Sequence, residues 1–212
     1  TRDKLDRKKS LIGFIGAPWT LLIYMLGLKE NKNKINYKKI KTKKFEVNLI
    51  LDKLHEYLCL HIENQIDAGV DVIQIFDSWA GLIPQEDLPN YCYNPNLKIV
   101  DFCKEKNVPV ICFPKGISKN YKEFNGVVKP DGISLDYDID PNWVKENLLN
   151  VVLQGGLDPK ILFLKDEEIF HAVQKYLDIF QGLPYVFNLG HGLLPETDPD
   201  KVSKLVKFYR EY

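Results

Sequence analysis

Six short apolar runs, rich in β-branched and aromatic residues, recur along the chain, at Leu11 to Ile15, Val72 to Phe76, Val108 to Phe113, Gly132 to Leu135, Val151 to Leu153 and Tyr185 to Leu189. Each is followed by small or polar residues and then by a helical pattern. A run without polar alternation is a strand buried on both faces, and strands that alternate with helices make a parallel sheet covered by those helices. A closed barrel of this kind needs eight strand-helix units. The pattern therefore predicts an α/β fold, a (β/α)8 TIM barrel of which this chain carries about six β/α units, with two absent at the front. An open doubly wound sheet is the alternative, but it would announce itself by a glycine-rich first turn, and neither G-x-G-x-x-G nor G-x-x-x-x-G-K-[ST] occurs.

A chain of 212 residues, 45% hydrophobic, can bury one sizeable core, and no linker marks a second, so residues 1–212 are expected to form a single domain. The 29 lysines and arginines cancel the 29 acids, leaving no overall field that would draw the protein to nucleic acid or to an anionic membrane. Any partner must be selected by a local site. Cys59, Cys92, Cys103 and Cys112 show no C-x-x-C pairing and lie in apolar or amphipathic runs, which predicts reduced thiols in a cytoplasmic protein. The first residue is Thr1 rather than methionine, so preceding residues are expected to have been removed or left out.

Residues Leu11 to Leu28 carry no charge and follow a basic stretch, as a signal or anchor segment would. Gly16-Ala17-Pro18 interrupts them, separating a β-branched and aromatic half from a half of good helix formers. Strand, turn and helix are predicted, with no membrane span. Residues 29–44 hold eight lysines and one acid, Glu30, without apolar periodicity, and read as a solvated, mobile loop. A nucleic-acid arm would need stacking aromatics beyond Tyr37. From Phe45 to Ala68 apolar residues recur every three or four positions up to Gly69, predicting a long amphipathic helix with a glycine stop. Three later helices are expected to open at Asp140-Pro141, Asp158-Pro159 and Asp198-Pro199, where aspartate caps free N–H groups and proline fits the first turn. The last of them carries Val202, Leu205, Val206 and Tyr209 on one face.

In a parallel barrel the chemistry sits at the carboxyl ends of the strands. Those ends read Gly16-Ala17-Pro18-Trp19, Asp77-Ser78-Trp79, Lys115-Gly116, Asp136, Gln154-Gly155-Gly156 and Gly190-His191-Gly192. His191, alone among the four histidines, stands between glycines after a strand; His55, His61 and His171 read as surface or packing residues on helices. His55 and Cys59 are one turn apart, but two ligands on an outer helix do not make a metal site. Ser78 invites an acyl-transfer reading, yet the G-x-S-x-G elbow is missing, so a hydrogen-bonding serine is the better expectation. Asp77 and Asp136 are candidates for acid and base, or for loop caps.

The segments GFIGAPWTLLIYM, VDVIQIFDSWAGL, FPKG, LQGGLDP and FNLGHGLLPETDPDKV together resemble the uroporphyrinogen decarboxylase family in its bacterial form, in order from about Leu11 to Tyr212. The resemblance implies a (β/α)8 barrel, a homodimer when full length, and conversion of uroporphyrinogen III to coproporphyrinogen III by loss of four carboxyl groups, without metal or organic cofactor. By resemblance, Tyr24, Ser78 and His191 match the family's substrate-contacting tyrosine, serine and histidine, and Phe76 a phenylalanine of the cleft. The family's R-Q-A-G-R motif and S-D-I aspartate are absent. They belong to the two front units that the strand count also misses. No catalytic residue is therefore assigned within this chain, and the 212 residues alone are expected to be inactive, as the C-terminal portion of a longer enzyme.

Two other readings fit parts of the pattern. A corrinoid-type methyltransferase of the same fold would hold zinc through H-x-C and a later cysteine, where this chain has Phe113-Pro114-Lys115 and His191. A non-catalytic truncated barrel would use exposed sheet edge and apolar surface to seek a partner.

Overall fold

A computed structural model describes residues 1–31 and 34–212. The chain groups into two compact units, Thr1–Ile133 and Ser134–Tyr212, each described by itself.

In the first unit, strand β1 (Ile12–Gly16) is followed by helix α1 (Pro18–Met25), a short hairpin of β2 (Lys29–Asn31) and β3 (Lys34–Ile35), and helices α2 (Tyr37–Thr42) and α3 (Lys44–Asp67). Then come β4 (Val72–Asp77), α4 (Asn94–Glu105), β5 (Val110–Pro114), α5 (Tyr121–Val128) and the opening of β6 (Gly132–Leu135). β4 lies parallel between β1 and β5, with Ile12 opposite Val72 and Ile73 opposite Val110, and β5 pairs in parallel with the start of β6. The break at Gly16-Ala17-Pro18 is strand, turn and helix as expected: Pro18 sits at the first position of α1, where its missing N–H costs nothing. No helix among the described residues is long and apolar enough to cross a membrane.

The outer edge of β1 is capped at Phe14 by a side chain. The Gln65 amide of α3 accepts from the Phe14 N–H (2.8 Å) and donates to the Phe14 carbonyl (3.2 Å), replacing the two hydrogen bonds a neighbouring strand would supply. Gly13 makes room for it, since a Cβ there would lie 2.5 Å from Gln65 Oε1.

The lysine-rich segment is not the solvated loop that its composition suggested. Its described residues form β2, β3 and α2, anchored by Leu28, Ile35 and Ile40, all buried. Asn36 N donates to the Leu28 carbonyl (2.8 Å), and the Tyr37 hydroxyl donates to Asp87 (2.5 Å) while its ring joins Trp19 and Tyr91. Lysines on the outer face conceal a few well-placed apolar anchors. Lys32 and Asn33 of the same segment lie outside the described residues.

The second unit holds the end of β6, then α6 (Pro141–Asn147), β7 (Val152–Gly155), α7 (Asp166–Phe180), β8 (Tyr185–Val186) and α8 (Pro199–Glu211). β7 pairs in parallel with β8, Leu153 opposite Tyr185. β8 is shorter than the apolar run through Leu189: beyond Val186 one parallel bridge, Leu157 with Leu189, continues the pairing. All three Asp-Pro caps form, with Asp140, Asp158 and Asp198 each accepting from the backbone N–H two residues on (3.1, 2.9 and 2.9 Å). The middle one opens a short 3-10 turn, Pro159–Phe163, instead of an α-helix. On α8 Leu205 is buried, while Val206 and Tyr209 stay exposed.

Candidate functional site

In the first unit the end of β4 is tied to α1 and α4 by a buried polar network. Asp77, at the last position of β4, is 1% exposed. It accepts from the Thr20 hydroxyl of α1 (2.7 Å) and from the Asn96 amide of α4 (3.3 Å), and Asn96 also donates to the Cys92 carbonyl (2.8 Å). The Thr20 hydroxyl in turn accepts from Trp79 N–H (3.3 Å), and the Trp19 indole donates to the Trp79 carbonyl (3.0 Å). Asp77, read from the sequence as a candidate acid or base, is thus enclosed by protein donors. Burial pushes its carboxyl up to about 6, against the pull of the hydrogen bonds from Thr20, Asn96 and Cys92.

The backbone beyond the network is just as constrained. Ala17 N donates to the Phe76 carbonyl (2.9 Å), Lys115 N to the Asp77 carbonyl (3.1 Å), and Gly81 N to the Lys115 carbonyl (2.8 Å). A Cβ on Gly81 would come within 2.6 Å of the Gly116 carbonyl oxygen, so the Ser78–Gly81 turn and the Lys115-Gly116 turn can approach this closely only as glycines. Ser78 and Trp79, both half-buried, are held on this frame.

Tyr24 and Phe76 stand on the same frame. Tyr24, 57% exposed, packs edge-on against Trp79 (ring centroids 6.0 Å), and the Lys29 ammonium lies 4.2 Å from the centre of the Trp79 ring. Phe76 meets Phe113 and Phe14 edge-on, both at 6.1 Å, in a row of aromatic rings across neighbouring strands. Tyr24 and Ser78 are therefore linked through Trp79, which follows Ser78 in the chain. Trp79, Lys29 and the Asp77 network are the parts that sequence reading missed as a group. The Trp79 indole nitrogen is buried and has no hydrogen-bond acceptor among the described residues.

In the second unit the strand ends are shaped by glycine. Gly155 and Gly156 have φ of +76° and +99°, and a Cβ on Gly156 would fall 1.9 Å from the Tyr176 hydroxyl oxygen. The Tyr185 hydroxyl donates to the Gly155 carbonyl (2.8 Å), and Gly190 N donates to the Leu157 carbonyl (2.8 Å). A Cβ on buried Gly190 would meet Tyr137 N at 2.6 Å. His191 follows directly and is exposed. Asp136, the other acid weighed from the sequence, is 2% exposed and accepts from Asp138 N (3.1 Å), as a loop cap does.

The remaining candidates sit elsewhere. His55 is half-buried on α3 with the Cys59 sulfur 3.7 Å from its Nδ1, and His61 and His171 are exposed. No group of three or more His, Cys, Asp or Glu side chains among the described residues could hold a metal ion. All four cysteines are free thiols, and burial raises the pKa of each.

Parallel strands followed by helices, with tight glycine and aspartate turns at the carboxyl ends of the strands, define a protein of the (β/α) barrel class. A solved methyltransferase from Methanosarcina mazei has the same fold (TM-score 0.78, 18% identity), aligning over 99% of this chain and 61% of its own. The particular lineage follows from sequence: the family model for uroporphyrinogen decarboxylase matches residues 1–212, and the chain belongs to that family. Proteins named uroporphyrinogen decarboxylase from Orientia tsutsugamushi (strain Ikeda), Rickettsia bellii and a Wolbachia of Drosophila simulans are 40%, 39% and 33% identical to it over its whole length. The chain spans 62–63% of the length of these relatives.

Proposed function

We propose that this chain forms part of a cytoplasmic carboxy-lyase that removes the carboxyl groups of the four acetate side chains of uroporphyrinogen III, giving coproporphyrinogen III in porphyrin and haem biosynthesis. The observation that supports this reading most is the family match over all 212 residues, with the GAPWT, FDSWAG and NLGHG segments at or just beyond strand ends. On this reading residues 1–212 are one portion of a barrel that is a homodimer at full length, and its partner is the small-molecule tetrapyrrole, not nucleic acid or membrane.

The chemistry asks little of the protein beyond placement. Protonation of a pyrrole ring carbon makes the substrate its own electron sink. The bond from the acetate methylene to its carboxylate breaks, carbon dioxide leaves, and the electron pair passes into the protonated ring. A proton then adds to the methylene carbon, leaving a methyl group, and the proton on the ring carbon departs, restoring the neutral pyrrole. In this reading Tyr24 and Ser78 offer hydroxyl donors and His191 a ring N–H to the carboxylates that stay, while Phe76 and Phe113 form an apolar wall that disfavours the departing charge relative to the neutral product. The residues that hold the departing carboxylate and the one that donates the proton are not assigned within this chain.

The test is to incubate the purified, folded chain with uroporphyrinogen III and, separately, to titrate it with uroporphyrin. The reading expects uroporphyrin binding without coproporphyrinogen formation. Coproporphyrinogen formation by the chain alone would overturn the assignment of the catalytic groups to other parts of the enzyme. A folded chain that fails to bind uroporphyrin would overturn the substrate.

A further inference from the structure

The lysine-rich segment, which the reaction as described leaves unused, places one cation against the aromatic frame of the first unit. Gly27, with φ of +57°, reverses the chain after α1, and Leu28 is pinned by hydrogen bonds to Ile23 (3.0 Å) and from Asn36 (2.8 Å). Lys29 comes next, opposite Ile35 in the hairpin register, and Ile35 is 7% exposed. A buried neighbour in the chain and another across the hairpin thus fix the backbone at Lys29, and its ammonium rests 4.2 Å from the centre of the Trp79 ring, against which Tyr24 packs edge-on.

The charge of Lys29 is not spent on an acid. Its neighbour Glu30 pairs with Lys34 at 2.8 Å, and no ion pair of Lys29 occurs among the described residues. A ring face holds an ammonium without neutralising it, so the cation stays available to an anion that docks beside the ring. Tyr24, whose ring packs against the same indole, carries a hydroxyl, and Ser78 is the residue before Trp79. The grouping offers hydrogen-bond donors and one positive charge, which is the complement of a carboxylate.

We propose that Lys29 is a specificity residue that binds a side-chain carboxylate of a polyacidic tetrapyrrole, with Trp79 as its platform. The proposal rests on the substrate reading given above and adds a contact to it. Lys29 does no chemistry in it: it selects ligands by charge and sets their orientation over Tyr24 and Ser78.

The test titrates the wild-type chain with uroporphyrin I at low and at high salt, beside Lys29→Gln, Lys29→Arg and Lys53→Gln. Lys53 is an exposed lysine of α3 paired with Glu56, so its replacement removes the same charge elsewhere. The proposal expects Lys29→Gln to bind about 10-fold more weakly at low salt, as loss of one charge-assisted hydrogen bond would give. It expects a flatter salt dependence for that variant, while Lys29→Arg and Lys53→Gln stay within about 2-fold of wild type. If wild type binds and Lys29→Gln matches Lys53→Gln, Lys29 is a solvated surface lysine and the proposal falls alone. If the folded wild-type chain does not bind uroporphyrin, the substrate reading falls and the proposal with it. Far-UV circular dichroism of each variant ensures that the comparison is between folded proteins.

Discussion

The strand ends of the two units are built by different means. In the first, beside one glycine contact of Gly81 on Gly116, side chains do the positioning: Asp77, Thr20 and Asn96 form a buried polar network that fixes Ser78 and Trp79. In the second, the absence of side chains does it: Gly155, Gly156 and Gly190 let backbone, the Tyr176 hydroxyl and Tyr137 close in. A polar network is sensitive to protonation and to loss of a partner, whereas a glycine frame is sensitive to added volume and indifferent to pH. The same architectural task therefore leaves two distinct experimental signatures.

The largest effect is expected from Gly156→Ala. The new Cβ meets the Tyr176 hydroxyl oxygen at 1.9 Å on a backbone with φ of +99°. Urea unfolding should show a loss of about 3 kcal/mol or more, combining strain and overpacking. Gly192→Ala, with nothing within 4 Å of its Cβ and no positive φ, should stay within about 0.5 kcal/mol of wild type. Equal losses at both positions would erase the glycine half of the comparison.

Next comes the pH signature of Asp77. Its carboxyl is raised from 3.8 to about 6 in the folded protein, so below pH 3.8 it is neutral in both states and adds no slope. As pH rises from there through about 6 the unfolded chain loses this proton first, and the stabilisation that the neutral form provides is lost. The linkage amounts to at most about 3 kcal/mol. Unfolding free energies of wild type minus those of Asp77→Asn, measured from pH 4 to pH 7.5, should fall with pH by an amount of this order. A flat difference would show that the carboxyl is not held up by burial.

A smaller loss is expected for Thr20→Val, about 2 kcal/mol, because a buried carboxylate loses a donor and Trp79 N–H loses its acceptor. Tryptophan fluorescence should shift with it, since Trp79 is held by that bond. Smallest is Asp198→Ala at the start of α8, about 1 kcal/mol, the ordinary value of a helix cap and a scale for the others.

Legibility in the sequence followed the range of the interaction. The strand-turn-helix at Gly16-Ala17-Pro18, the long helix α3 and the three Asp-Pro caps depend on neighbours a few residues apart, and each was readable from the residues alone. The Asp77 network was not, because Thr20 and Asn96 lie 57 and 19 residues from it. Gln65 looked like one polar residue on an amphipathic helix, and only the fold brings its amide to the edge of β1. The hairpin after α1 was hidden by its lysines: Leu28, Ile35 and Ile40 are too few and too irregularly spaced to show a period. Ser78 and His191 were marked by their places at strand ends, Tyr24 and Phe76 by resemblance to the family, and the roles of all four toward a ligand stand as proposals.

One titration reaches the centre of this account: uroporphyrin binding to the folded chain and to its Tyr24→Phe, His191→Gln and Lys175→Gln forms. The account predicts that the first two replacements each weaken binding about ten- to a hundredfold, the range of one lost hydrogen bond to a charged group, while Lys175→Gln on the outer face of α7 leaves it unchanged. Wild-type affinity in both the Tyr24 and the His191 variants would contradict it.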